Sequence, residues 1–161
     1  MIKKIFFAAV IISFFASCNS QSAFKYSESI VKKEQALTGD ITTTEDKIEG
    51  FIKEDKYDSV TAAADRMEKL VDKTLTEIKN EPAPDVKESG AFKEASIKYF
   101  SFIKSLYTGY KEMGKAPTPE ARNEEIIKLQ KLVSQKTDII NEMQRVQKKF
   151  AEANGFKLEN Q

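Results

Sequence analysis

Residues 89–114 read SGAFKEASIKYFSFIKSLYTGYKEMG, from Ser89 to Gly114. Within them Phe92, Ala95, Tyr99, Phe102, Ile103, Leu106, Tyr110 and Met113 recur at steps of three, four and seven. That spacing lines one face of a 3.6-residue helix and has no period-two component, so it predicts a helix over 89–114. Gly114 and Pro117 stop it, and Ser89 is a candidate cap. A single apolar stripe on such a helix is stable only against other stripes, so the fold depends on what the flanking segments offer.

They offer three more. Upstream, Phe24, Ile30, Val31, Leu37, Ile41, Ile48, Phe51 and Ile52 keep one phase through the poor helix formers Gly39, Asp40 and Thr42-Thr43-Thr44, predicting one long helix over 22–53. After Glu54-Asp55-Lys56, with Asp55 the expected N-cap, Tyr57, Val60, Ala64, Met67, Leu70, Val71, Leu75 and Ile78 predict a helix over 57–80. Pro82 and Pro84 forbid its continuation and make 81–88 a loop. Thr118-Pro119-Glu120 combines a capping hydroxyl, proline at the first helical position and an acid at the positive end of the dipole. It opens a helix over 118–154 carrying Ile126, Leu129, Val133, Ile140, Met143, Val146 and Phe150, closed by Asn154-Gly155-Phe156. Four amphipathic helices with short loops predict an all-α, antiparallel up-down-up-down four-helix bundle over 24–161. An extended coiled-coil hairpin that dimerises shares the same spacing and is the alternative. The first and last helices are longest, so a two-helix stalk is expected where Phe24, Ile30 and Val31 meet Val146, Phe150 and Phe156 beyond loop 81–88.

The chain starts differently. Lys3 and Lys4 precede an apolar run, Ile5 to Phe15, broken only by Ser13 and followed by the small pair Ala16-Ser17 and then Cys18, the single cysteine among 161 residues. A basic start, a short apolar middle and small residues at the end predict a secretory signal over 1–17. Phe15-Ala16-Ser17-Cys18 resembles the lipobox of bacterial lipoproteins, with Phe15 where that motif usually carries Leu. The resemblance implies acylation of Cys18, with palmitate among its chains, so that Cys18 becomes the first residue of the mature chain and residues 18–23 a short tether. Two or more acyl chains give firm membrane attachment, since each buried CH₂ contributes ~0.8 kcal/mol. Asn19 instead of Asp after the cysteine implies, by the enteric sorting rule, the outer membrane, on its periplasmic or surface face.

Composition excludes much of the common chemistry. There is no His, and the one Cys is assigned to lipid, which removes Ser-His-Asp and Cys-His nucleophiles, His or Cys zinc and haem ligation and any intrachain disulfide. Lys+Arg number 26 against Asp+Glu 25, and residues 1–17 hold two of the lysines, so the remainder is nearly neutral and unsuited to nucleic acid. No metal and no cofactor are expected. Ser29-Ile-Val-Lys32 and Ser101-Phe-Ile-Lys104 have the Ser-x-x-Lys spacing of serine enzymes that use lysine, but lie on polar helix faces and read as chance. Glu124-Glu125 and Asp55 with Asp58 lack the alternation and Gly turn of a calcium loop and read as solvated helix-end charge. Phe100 and Tyr107, seven apart on a flank of the 89–114 stripe, are the candidate partner patch, with core packing as the plainer reading.

Tyr26-Ser-Glu-Ser-Ile30-Val31, Asp55-Lys-Tyr57, Phe92-Lys-Glu-Ala95 with Tyr99-Phe100, and Phe150-Ala151 resemble a family of small helical surface lipoproteins of spirochaetes and related Gram-negative bacteria. That resemblance implies a lipid-anchored helical bundle with no established activity and transfers no catalytic residue. The expected function is a non-enzymatic binding or structural module with an unspecified protein partner. The alternatives are a carrier of a small apolar ligand within the bundle and, behind it, an enzyme using only carboxylates, Lys, Ser and Tyr.

Overall fold

The structure, a computed structural model, describes residues 10–12 and 18–159. Five helices make four antiparallel passes: α1 (Cys18–Lys53), α2 (Tyr57–Asn80), α3 (Ser89–Lys115), and a last pass divided into α4 (Pro119–Val133) and α5 (Lys136–Asn154). A short antiparallel ladder joins β1 (Val10–Ile12) to β2 (Lys157–Glu159), with Ile11 opposite Leu158. The chain is an all-α helical bundle. α1 packs on α2, α2 on α3, α3 on α4 and α5, and α5 returns to α1, which is the up-down-up-down order. The expected signal segment 1–17 lies outside the described residues apart from Val10–Ile12.

α1 is unbroken through Gly39. Thr38 and Thr42 turn their hydroxyls back onto the carbonyls of Glu34 and Thr38 (3.1 Å each), so the weak helix formers satisfy their polar groups locally while Leu37, Ile41 and Ile48 stay in the core. The helix also starts earlier than expected. Residues 18–23 are its first turns and not a tether, because Ala23 is fully buried and Ser20 nearly so.

Three terminal assignments need correction. Asp55 does not cap α2 but takes a left-handed backbone (φ 56°), and its carboxylate accepts from the Tyr57 hydroxyl at 3.0 Å. Short polar side chains tolerate that conformation best, so Asp55 makes the turn instead of the cap. Ser89 is already helical, and the residue before it, Glu88, is the left-handed one (φ 62°). Gly114 is a helical residue inside α3 and not its left-handed stop. A Cβ there would lie 2.3 Å from Thr61 Oγ1 and 2.8 Å from the Tyr57 carbonyl, so glycine is set by close approach to α2. The other signals act as read. The Thr118 hydroxyl accepts from Ala121 N at 3.1 Å, and Gly155 (φ 70°) closes α5 with Phe156 buried beneath it.

The expected single helix over 118–154 is divided at Ser134-Gln135. Both residues are right-handed but tightened, Gln135 N bonds to Leu132 O at 3.0 Å, and the Ser134 hydroxyl takes the Lys131 carbonyl at 2.7 Å. A side chain competing for the backbone at a step with no apolar residue between Val133 and Ile139 interrupts the last pass there.

Phe24 and Phe150 are at the same end, as expected, with Phe24 edge-on to Phe156 at 6.0 Å and Phe156 edge-on to Phe150 at 5.7 Å. A free two-helix stalk does not form. Phe92, at the start of α3, stacks on Phe150 (4.9 Å) and meets Tyr26 edge-on (5.9 Å), carrying α3 up to that level. Loop 81–88 seals the side: Glu81 accepts from Ser29 Oγ (2.7 Å) and Lys33 Nζ (2.9 Å), and Lys87 O accepts from Asn154 Nδ2 (2.8 Å). Lys93 Nζ caps the end of α2 by donating to the carbonyls of Lys79 (2.8 Å) and Glu81 (2.7 Å).

Candidate functional site

The two residues expected as a partner patch belong to the core. Phe100 is 0 % and Tyr107 1 % exposed, because α3 is covered by α2 on one flank and by α4 and α5 on another. Phe100 packs edge-on to Tyr99 at 5.4 Å.

The Ser-x-x-Lys pairs are not dyads. Ser29 donates to Glu81, while Lys32 pairs with Glu28 at 2.8 Å. Lys104 reaches across to Asp72 on α2 at 2.5 Å, and that hydrogen bond holds the Asp72 carboxyl below its ordinary range. Lys111 similarly bonds Glu68, so these lysines stitch α3 to α2. Among the described residues no three acidic or sulfur-bearing side chains converge as a metal set, and Glu125 is engaged by Lys128 at 2.6 Å.

A site does appear at the end of the bundle remote from Cys18. A cavity of about 310 Å³ opens there, walled by Ile52 of α1, Tyr110 and Met113 of α3, and Ile126, Leu129, Gln130 and Val133 of α4. Its origin lies in how α4 is seated. Leu129 is the one buried residue of α4, and it rests where a Cβ on Gly109 would stand only 2.9 Å from its Cδ1. Arg122 fixes the start of α4 by stacking over the Tyr57 ring at 3.4 Å and donating to Ala116 O at 3.3 Å. These contacts hold α4 to the α3 side and the start of α2, while α4 is not closely packed on α1. The gap between them is the cavity.

One to two turns further into the bundle lie Glu45 of α1, Lys136 of α5 and the phenol of Tyr107, next to Tyr110 of the cavity wall. Burial pushes the Glu45 carboxyl up to about 7, partly countered by Lys136, with Asp46 adding to the rise. Burial in turn lowers Lys136, with Glu45 opposing. Burial first and Glu45 second raise both tyrosines well above the ordinary phenol range, so both stay protonated. The Tyr107 hydroxyl is buried and has no hydrogen-bond partner among the described residues. A second cleft of about 110 Å³ between α1 and α2, bordered by Asp40, Lys47 and Arg66 as well as Met67 and Leu70, holds only ~3–4 waters' worth of space.

Sequence reasoning did not find the α1/α3/α4 cavity. The signals were Gly109 within the helix 89–114 stripe and the adjacent pair Ile126-Ile127, which no single helical stripe can bury together. No protein family, no curated protein and no solved structure matches the chain at a significant level.

Proposed function

We propose that the chain is an exported lipoprotein, held on the outer membrane by acyl chains on Cys18, that works as a non-enzymatic binding or structural module. The observation that carries this reading is the order Lys3-Lys4, Ile5 to Phe15, Ala16-Ser17, Cys18. The likeness of Tyr26–Val31, Asp55–Tyr57, Phe92–Ala95 and Phe150-Ala151 to spirochaetal surface lipoproteins supports it, and the lack of histidine supports a non-enzymatic role. In this reading α1 leaves the lipid with no linker, and its 36 residues put the far end of the bundle ~54 Å from the membrane surface if the helix stands upright. No helix among the described residues is long and apolar enough to cross a membrane, so the acyl chains are the attachment the reading relies on.

The second reading, a carrier of a small apolar ligand, is favoured by one observation, the cavity beside α4. Anchoring is tested by temperature-induced detergent-phase partitioning of the chain expressed in a Gram-negative host. Wild type is expected in the detergent phase and Cys18→Ser in the aqueous phase or as unprocessed precursor. Equal partitioning of the two removes the lipid from the account.

A further inference from the structure

We propose that the cavity between α1, α3 and α4 binds one linear aliphatic chain of about ten carbons. The inference rests on the binding-module reading and names the ligand class that such a module takes.

Volume sets the length. About 310 Å³ equals roughly ten water volumes of ~30 Å³, at the lower bound of small-molecule pockets. The lining sets the chemistry: Ile52, Met113, Ile126, Leu129 and Val133 are apolar, no charged side chain lines the space, and its polar side chains are Gln130 and Tyr110. A groove running between helices that lie side by side suits an extended chain better than a rounded ring system. The Tyr110 phenol and the Gln130 amide, the polar side chains of the lining, offer hydrogen bonds to a hydroxyl or carboxyl at one end of the chain.

The outer wall is lightly packed. α4 buries a single residue, whereas α5 buries five, and the two are separated by the break at Ser134-Gln135. Ile127, on α4, is 57 % exposed and is the large apolar side chain most open to solvent among the described residues. The acyl groups on Cys18 are not the occupant, because Ile52 lies nearly the whole length of α1 away, ~50 Å. The occupant is therefore a free single-chain amphiphile or the acyl chain of a lipid delivered to this end.

The test uses the full chain in its membrane-attached form and a decanoic acid carrying a diazirine on its alkyl chain. After irradiation, labelled peptides are mapped by mass spectrometry. Labels are expected in 119–133 and 105–115, and excess decanol is expected to abolish them. Competition by phosphatidylcholine vesicles identifies a lipid acyl chain as the natural source, and its failure a free amphiphile; both outcomes retain the site. Val133→Trp and Ile126→Trp, which fill the space from two positions, are each expected to reduce labelling at least tenfold at an unchanged denaturant midpoint, while Ile127→Ser keeps it. No labelling, labelling spread over the surface, or labelling unchanged in both tryptophan variants overturns the proposal. Anchoring is read separately by phase partitioning, so an anchored chain with an unlabelled cavity refutes this inference alone.

Discussion

The Tyr99 hydroxyl donates to Glu34 Oε1 at 2.6 Å, joining the diagonal pair α3 and α1 through the middle of the bundle. Tyr99 is 1 % and Glu34 5 % exposed, so the bond is shielded from water, and burial followed by Glu34 raises the phenol far above its usual range. A polar contact of this kind fixes the register of two helices whose stripes alone tolerate sliding. Tyr99→Phe keeps the ring and removes one donor to a buried acceptor. The expected cost is about 1–3 kcal/mol, read from the denaturant midpoint at constant slope. An unchanged midpoint denies the bond its structural role.

Leu106 lies at the centre of the α3 stripe and is fully buried. Leu106→Ala is expected to destabilise the bundle by about 2–5 kcal/mol, through lost burial and the cavity left behind. Urea denaturation followed by circular dichroism measures it, and a loss below 1 kcal/mol contradicts the assignment of Leu106 to a close-packed core.

Glu45 gives stability a pH dependence of defined sign. Its carboxyl, raised from 4.5 to about 7 by burial, keeps in the folded chain a proton that the unfolded chain releases. Stability from this group is therefore greatest below pH 4.5, falls as pH rises towards 7 and levels off above it. Lys136, Asp46, Tyr107 and Tyr110 face the same region. Glu45→Gln is expected to remove the fall, seen as a growing difference between variant and wild-type midpoints from pH 4.5 to pH 8. Parallel profiles contradict the assignment.

The residues that were legible and those that were not differ in what governs them. The stripes of α1, α2 and α3 were readable because helical period alone decides which side of a long helix is buried. The bundle order followed because short loops leave neighbouring passes few other places to go. Phe100 and Tyr107 were ambiguous because a flank is buried or open according to how far the adjacent helices wrap α3, which no single segment encodes. Ser134 was missed because a serine inside a helix normally faces solvent, whereas here its hydroxyl takes the Lys131 carbonyl and the helix is interrupted. Gly114 and Asp55 sat at helix ends where a stop or a cap is the usual reading, whereas helix contact at Gly114 and turn backbone at Asp55 set the actual roles. The cavity arises from those same non-local choices.

The intact mass of the protein extracted from membranes tests the central claim, lipid attachment at Cys18, most directly. The account predicts a chain that begins at Cys18, lacks residues 1–17 and carries the added mass of a diacylglyceryl group with or without a further acyl chain on its amino terminus. A chain that retains Met1 to Ser17, or that begins at Cys18 or any other residue without added lipid mass, contradicts it.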